Sequence, residues 1–274
     1  MKLHELNRRF SWTSPKGPFK VLSDRQVHAY NRDGYFLFEN AFDDQQVERM
    51  VAAIDPLEVR REEWLRQQGG TFLIARADEI TFSTHLVLES DVLRRIAGSP
   101  PLTDLCTDLV GPDVRLYWDQ AVYKKPHTAS PFPWHQDNGY AFVEPQQYLT
   151  CWIALTDADE DNGCPWVVPG IHQRGTLTHQ PTGAGLVCLA DPSSAVPVPA
   201  RRGSVVVFSS LTPHCTGPNV TDEVRKAYII QYAPDGAEVL HVDGSGPLNE
   251  VKRALAGDPG RQFPVVEDGR AIAT

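Results

Sequence analysis

Between about residue 110 and residue 235, hydrophobic positions occur in short runs that are either continuously apolar or alternate with polar ones. Proline, glycine and asparagine separate these runs, as they commonly do between strands. The strands predicted in this way are residues 114–123, 148–155, 166–168, 186–189, 205–208 and 227–232. Many short strands with this punctuation are typical of an antiparallel jelly roll whose mouth is formed by loops.

The first 70 residues have a different, helical pattern. Ser23 and Gln26 form a capping box that predicts a helix ending before Gly34. Residues 43–55 read as a second, amphipathic helix, and a charged segment at 58–68 reads as a third that stops at a pair of glycines. We therefore predict one domain over residues 1–274, mainly β with peripheral helices (α+β), with helices at about 22–68 packed on a jelly-roll (double-stranded β-helix, cupin-like) core at about 110–235.

Composition narrows the possible partners and compartment. The chain has 274 residues and a formal net charge of −9, which opposes binding to nucleic acid or to an anionic membrane surface. The N-terminus has no apolar run of signal-peptide length, and the five cysteines are an odd set without a Cys-x-x-Cys pair. These features predict a cytoplasmic protein with reduced thiols, acting on a small molecule as a monomer or homodimer.

The clearest chemical signal is a His-x-Asp pair, His135 and Asp137, followed far downstream by His214 and then by Arg225. On a strand, residues i and i+2 point to the same face, so the pair can offer a nitrogen and an oxygen to one metal ion. Two imidazoles and one carboxylate on one face of an octahedron are the ligand set of non-heme Fe(II) oxygenases. A second pair, His241-x-Asp243, has the same spacing, but no histidine follows it.

The residues around the first pair carry a more specific pattern. It comprises six ordered segments at residues 119–126, 133–137, 151–155, 162–165, 168–172 and 213–219, followed by Arg225, and residues 33–37 precede them as an opening strand. In this order the segments resemble the phytanoyl-CoA dioxygenase family of Fe(II)- and 2-oxoglutarate-dependent oxygenases. The resemblance covers most of residues 22 to 235.

The resemblance implies roles for individual residues. It implies that His135, Asp137 and His214 hold Fe(II), with 2-oxoglutarate and dioxygen as cosubstrates. By the same resemblance, Arg225 pairs with the distal carboxylate of 2-oxoglutarate, where the fork of a guanidinium fixes orientation as well as charge. Four further residues are assigned to the cosubstrate pocket: Thr216, Trp152, Tyr123 and Gln136.

The sequence does not identify the substrate. Segments 69–85 and 176–202 are the predicted specificity loops, with Phe72, Phe82 and residues 197–199 as an apolar wall. We expect a small, largely apolar metabolite, such as a natural-product or lipid-like intermediate, to be hydroxylated or otherwise oxidised. An acyl-CoA hydroxylase of the same family is an alternative, in which Arg60, Arg61, Arg66 and Arg76 would gather into one phosphate-binding patch. A zinc hydrolase and a non-catalytic jelly-roll metal-binding protein are the alternatives from other classes.

Overall fold

Two antiparallel sheets form the body of the protein in the computed structural model, which describes residues 1–242, 251–255 and 257–272. The major sheet contains ten strands, and its main path runs β1-β13-β8-β15-β5-β4-β3-β2, with β18 also paired to β5 and β19 to β18. Its strands are β1 (Tyr35–Phe38), β2 (Thr71–Phe72), β3 (Ala75–Arg76), β4 (Ile80–Thr84), β5 (Val114–Lys124), β8 (Leu149–Ala154), β13 (Val205–Ser209), β15 (Arg225–Pro234), β18 (Pro264–Glu267) and β19 (Arg270–Ala271).

The minor sheet contains four strands in the order β12-β9-β14-β6. Its strands are β6 (Phe132–His135), β9 (Pro165–Val167), β12 (Val196–Pro197) and β14 (His214–Thr216). A three-stranded sheet and a short hairpin complete the strands, with β7 (Phe142–Glu144), β16 (Glu238–Val242) and β17 (Val251–Leu255) in the first and β10 (Gln180–Thr182) and β11 (Gly185–Val187) in the second. The fold is the predicted jelly roll with peripheral helices.

The two faces of the major sheet pack against different partners. On one face, a large buried cluster joins strand residues to the helices α1 (Asp24–Asp33), α2 (Asp44–Gln67), α3 (Asp91–Ala97) and α4 (Leu102–Leu109). On the other face, a second cluster joins the major sheet to the minor sheet and includes Trp152, Phe208 and Val167. The space between the sheets is therefore where side chains from both can meet. Among the described residues, no helix combines the length and the apolar character needed to cross a membrane.

The first helix begins and ends where the sequence predicts. The Ser23 side chain accepts a hydrogen bond from the Gln26 backbone N–H, and the Gln26 side chain accepts from the Ser23 N–H. Gly34 ends the helix in the left-handed region at φ 86°. It also lies against the next layer, because a Cβ there would be 2.5 Å from His172 Nδ1 and 2.6 Å from Thr212 Oγ1.

The prediction of two helices at 43–55 and 58–68 is wrong, because α2 is one continuous helix with Pro56 in its interior. A mid-helix proline removes one backbone hydrogen bond and normally breaks the helix. Here the half of α2 after Pro56 still has one buried face. On that face Glu58 accepts from Thr81 Oγ1 at 2.8 Å and pairs with Lys125 Nζ at 2.6 Å. These contacts hold the helix on the sheet across the proline.

Several other elements differ from the sequence expectation. The strand predicted at 186–189 is the shorter β11, in a hairpin outside the two main sheets. Segment 69–85 is not a loop, since β2, β3 and β4 extend the edge of the major sheet there. Helices α3 and α4 were not predicted, and neither were the strands after residue 234.

Gly34→Ala is expected to lower the free energy of unfolding by about 2–4 kcal/mol, because it combines the left-handed backbone cost with overpacking against His172 and Thr212. Gly236→Ala is the matched control: its φ of 79° is similar, but nothing lies within 4 Å of the added Cβ. The control should lose only about 1 kcal/mol. Urea unfolding of both variants measures the difference, and equal losses would contradict the packing argument.

Candidate metal centre

The candidate centre is built where β6 pairs with β14. In the register of these antiparallel strands, His214 lies directly opposite His135, and their ring centroids are 4.1 Å apart. Asp137 is not on the strand, as the i, i+2 argument assumed. Strand β6 ends at His135, and Asp137 begins a short 3-10 turn, Asp137–Gly139. The turn brings the carboxylate back to the imidazoles.

The three side chains present one atom each to a common point. Asp137 Oδ1 lies 3.8 Å from His135 Nε2 and 3.7 Å from His214 Nε2. Two atoms that each lie about 2.1 Å from one ion are at most about 4.2 Å apart, so these separations suit a shared ion. Within the described residues, this is the one group of three or more His, Cys, Asp or Glu side chains that meets the spacing for a metal ion.

Backbone carbonyls orient both imidazoles in the same way. His135 Nδ1 lies 2.8 Å from Pro133 O, and His214 Nδ1 lies 3.0 Å from Thr212 O. Each Nδ1–H therefore donates to a carbonyl two residues earlier, which leaves each Nε2 lone pair free to bind an ion. Burial lowers the pKa of His135 to about 3 and that of His214 to about 4. Both rings are neutral near pH 7, as metal ligation requires.

Two polar side chains of the major sheet hold the Asp137 carboxylate. Thr150 Oγ1 on β8 donates to Asp137 Oδ2 at 2.6 Å, and the Gln231 side chain on β15 also hydrogen-bonds the carboxylate. Burial raises the pKa of Asp137, and the hydrogen bonds oppose this shift. Gln231 lies on the same face of β15 as Arg225 and Ile229, so the period of two along this strand predicts its direction.

Arg225 lies in a cavity that opens beside the triad. It is the first residue of β15, only 1% exposed, and its Nη1 donates to Val122 O at 3.2 Å. Its Nε and Nη2 have no hydrogen-bond partner in the part of the chain that the structure describes. Buried guanidinium N–H groups without acceptors are rare in protein interiors and match the two oxygens of a carboxylate ligand.

The structure separates the other four predicted pocket residues into two pairs. Thr216 and Trp152 line this cavity, and the Arg225 guanidinium carbon lies 5.4 Å from the centre of a Trp152 ring. Tyr123 is on the opposite face of β5, where its hydroxyl donates to Asp55 at 2.7 Å. Gln136 is buried away from the cavity, since it donates to Gly175 O and Leu211 O and accepts from the Leu177 N–H. Alternation along β5 therefore turns Tyr123 away from the cavity beside Arg225, and the extended backbone at Gln136, just after β6, does the same for Gln136.

A larger cavity of about 270 Å³ adjoins the triad and has mostly aromatic walls. Its aromatic lining residues are Phe82, Tyr117, Trp118, Phe132, Tyr140 and Tyr148. Gln120 and Gln231 add two amides. Sequence reasoning missed Gln120, although the period of two along β5 that turns Tyr123 outward also turns Gln120 inward.

The predicted specificity segments contribute unequally to this cavity. Ile74 and Phe82 line it, whereas Phe72 is exposed and packs edge-on against Trp64. In segment 176–202, residues 197–199 do not form an apolar wall, because Val198 is buried in the core between the sheets. That segment supports the cavity indirectly, since the Leu186 N–H donates to the Tyr140 hydroxyl at 3.4 Å. Asp243 of the second His-x-Asp pair lies outside the described residues.

Comparison with known proteins decides the family. The sequence model described as phytanoyl-CoA dioxygenase (PhyH) matches residues 30–227. The chain belongs to the phytanoyl-CoA dioxygenase family. An ectoine dioxygenase of Bordetella bronchiseptica is 29% identical, with 77% of this chain and 75% of the relative covered. A methylphosphonate hydroxylase of Gimesia maris is 28% identical, with 77% and 81% covered.

Solved structures agree with this membership in the phytanoyl-CoA dioxygenase family. A non-heme alpha-ketoglutarate-dependent carbocyclase from nogalamycin biosynthesis superposes with a TM-score of 0.65 at 26% identity, covering 81% of this chain and 89% of the other. Membership confirms the predicted reaction class: the protein is an Fe(II)- and 2-oxoglutarate-dependent oxygenase that acts on a small molecule and uses dioxygen. The unpaired N–H groups of Arg225 suit a carboxylate of 2-oxoglutarate. The two neutral imidazoles and the carboxylate of the triad suit Fe(II).

Thr150→Val is expected to weaken metal binding by about 10- to 100-fold, because it keeps the shape of the side chain but removes its hydrogen bond to Asp137. Thr150→Ser keeps a hydroxyl and should bind within a few-fold of the unmodified protein. Titration of Fe(II) under nitrogen measures both. Equal affinities for the Val and Ser variants would show that the hydroxyl does not orient the carboxylate.

Proposed function

We propose that His135, Asp137 and His214 hold one Fe(II) ion and that the adjoining cavity with Arg225 receives 2-oxoglutarate. The observation that carries this assignment is the combination of a buried His-Asp-His set with a buried guanidinium that has two unpaired N–H donors beside it. A zinc hydrolase has no use for such a guanidinium, and a scaffold protein has no use for either feature.

In this assignment the protein's own groups have separate tasks. The backbone carbonyls of Pro133 and Thr212 keep the imidazoles in one tautomer, and Thr150 directs one carboxylate oxygen toward the ion. Arg225 and Thr216 fix the distal carboxylate of 2-oxoglutarate. Iron held there would supply the chemistry that couples oxidative decarboxylation of 2-oxoglutarate by dioxygen to oxidation of the substrate. The aromatic walls exclude water and hold the reacting carbon next to the ion.

We propose that the substrate is an uncharged, largely apolar small molecule with a few hydrogen-bonding groups. Among the described residues that line the 270 Å³ cavity there is no lysine or arginine, and Asp137 is the one carboxylate. An anionic substrate such as a phosphonate would find no cationic partner there, whereas aromatic faces and the Gln120 amide suit a neutral ring system or chain. Hydroxylation is the simplest outcome, and desaturation or cyclisation would use the same ligands.

The four arginines that could form a phosphate-binding patch for coenzyme A each have another interaction partner. Arg60 pairs with Glu89, Arg66 pairs with Glu62 and Asp78, and Arg76 donates to the Gly183 carbonyl. Arg61 lies over the Trp64 ring on the outer face of α2. This arrangement supports a free metabolite over an acyl-CoA thioester.

We further propose that residues 1–274 act as one domain in a reducing, cytoplasmic setting, as a monomer or homodimer. The continuous buried cluster between the N-terminal helices and the major sheet supports a single domain. All five cysteines are unpaired, which agrees with a reducing compartment.

His135→Ala, Asp137→Ala and His214→Ala are each expected to abolish stoichiometric Fe(II) binding and the slow conversion of 2-oxoglutarate to succinate, because each empties one ligand position. Metal titration and succinate release measure the two effects. Activity with zinc and none with iron would support hydrolysis instead, and iron binding without any turnover would support a non-catalytic protein.

A substrate screen tests the charge argument. Neutral terpenoid and polyketide compounds should stimulate succinate release and yield products heavier by one oxygen or lighter by two hydrogens. Phosphonates and acyl-CoA thioesters, matched in apolar size where possible, should not. Coupled oxidation confined to the phosphonates or thioesters would show that the cavity accepts anions and that the proposed substrate class is wrong.

A further inference from the structure

A second buried cation lies beside Arg225 and has no assigned role. Lys124, the last residue of β5, is 0% exposed, and its backbone is paired directly opposite Arg225 in the β5–β15 register. In the described part of the chain, neither side chain has a carboxylate within ion-pairing distance. A buried lysine without a counter-ion is unfavourable, so its retention needs an explanation.

The contacts of the Lys124 ammonium point toward the cosubstrate cavity. Its Nζ donates to Gly217 O at 2.5 Å, to Ser130 O at 3.3 Å and to Thr216 Oγ1 at 3.3 Å, and it lies 3.5 Å from Thr216 O. Because an ammonium group can only donate, the Thr216 oxygen must accept from it. The hydroxyl hydrogen of Thr216 is then left to be donated elsewhere.

The Thr216 hydroxyl can donate its hydrogen into the cavity that Thr216 and Arg225 both line. Thr216 lines this cavity, and no acceptor for its hydroxyl hydrogen is present among the described residues. Three unpaired donors therefore meet in one place: the Thr216 O–H and the Nε and Nη2 groups of Arg225. A carboxylate offers two oxygens with about four acceptor positions, which is the acceptor capacity that three donors need.

The chain also makes room for the lysine. Gly163 has φ 89°, and a Cβ there would be 2.6 Å from Gly217 O and 3.2 Å from Lys124 Cδ. A third contact of that Cβ would be Pro218 O at 3.0 Å. A side chain at position 163 would therefore displace the backbone at residues 217–218, where the Gly217 carbonyl accepts from Lys124 Nζ.

The two neighbouring cations favour binding of an anion in this cavity. Burial, together with the neighbouring Arg225 charge, lowers the pKa of Lys124 to about 7, and burial lowers that of Arg225 to about 10. An anion beside the two groups relieves their repulsion and raises the pKa of Lys124 again, which favours its ammonium form near pH 7. The distal carboxylate of a dicarboxylic acid supplies that charge, whereas a monocarboxylic 2-oxo acid does not.

We propose that Lys124 is a positioning residue for the cosubstrate: through its bond to Thr216 Oγ1 it directs the hydroxyl toward the distal carboxylate beside Arg225, and its charge adds to the selection for a dicarboxylate. This inference rests on the proposed function, in which that cavity binds 2-oxoglutarate. It assigns Lys124 no contact with the metal and no part in the oxidation step.

Lys124→Met is the informative variant, since it keeps the length and apolar stem but removes the ammonium. The matched control is Lys125→Met at the adjacent position, where the side chain pairs with Glu58 under α2 instead. Equilibrium binding of two probes is measured calorimetrically under nitrogen on Fe(II)-loaded protein. One probe is 2-oxoglutarate, and the other is 2-oxopentanoate, which has the same chain length but lacks the distal carboxylate.

Lys124→Met should weaken 2-oxoglutarate binding about 10- to 100-fold, the range for losing hydrogen bonding to a charged group, and should change 2-oxopentanoate binding less than about twofold. Lys125→Met should leave both affinities within about twofold even if it lowers the melting temperature. The ratio of the two affinities is the decisive quantity, because a purely structural role would weaken both probes together. An unchanged ratio in Lys124→Met overturns the proposal.

Should Lys124→Met fail to fold, Lys124→Leu carries the same test, because it also removes the ammonium while leaving Thr216 in place. It must lose selectivity for 2-oxoglutarate, and an unchanged ratio of the two affinities overturns the proposal. Arg225→Ala separates the two levels of inference. If the unmodified protein does not bind 2-oxoglutarate, or if Arg225→Ala does not weaken that binding, the proposed function itself fails. If only the Lys124 result is negative, this inference fails alone.

Discussion

The pairing of β6 with β14 is the contact on which the rest of the site depends. It sets His135 opposite His214, although the two residues are far apart in the chain. A slip of one residue would turn one imidazole to the other face of the sheet and destroy the ligand set. β14 is also paired with β9 on its other edge, so its register is fixed from both sides. The major sheet then supplies Thr150 and Gln231, which hold the carboxylate, and Arg225, which lines the adjoining cavity.

The sequence was sufficient to predict the fold class, the first helix and the metal-binding triad, but not the continuity of α2. The jelly roll and the first helix follow from punctuation and capping, and the grouping of His135, Asp137 and His214 follows from ordered spacing. The continuity of α2 through Pro56 could not be predicted locally, because the buried ion pair of Glu58 is made with Lys125, which follows β5 and is distant in the sequence. Helix α3 left a readable signal, since Ser90 caps it as Ser23 caps α1.

Inside the site, the errors have one physical origin. Tyr123 and Gln136 stand next in sequence to residues of the site, and the extended backbone turns their side chains away from it. The period of two would have selected Gln120 and Val122 on β5, and Gln231 on β15 from the position of Arg225. Tyr117 is different, because the register shift of β5 falls there and both Tyr117 and its neighbour Trp118 line the larger cavity. Side-chain direction is thus predictable from sequence where a strand is regular and unpredictable where its register shifts.

Gln231 contacts both the metal-binding triad and the larger cavity. Its amide lines the larger cavity and also hydrogen-bonds the carboxylate of Asp137. A molecule that contacts this amide must compete with that bond or strengthen it, and so must change how firmly Asp137 is held. Thermodynamic linkage makes the effect mutual: whatever factor the occupant contributes to ion affinity, the ion returns to the occupant. One side chain thereby couples the affinities of the two sites.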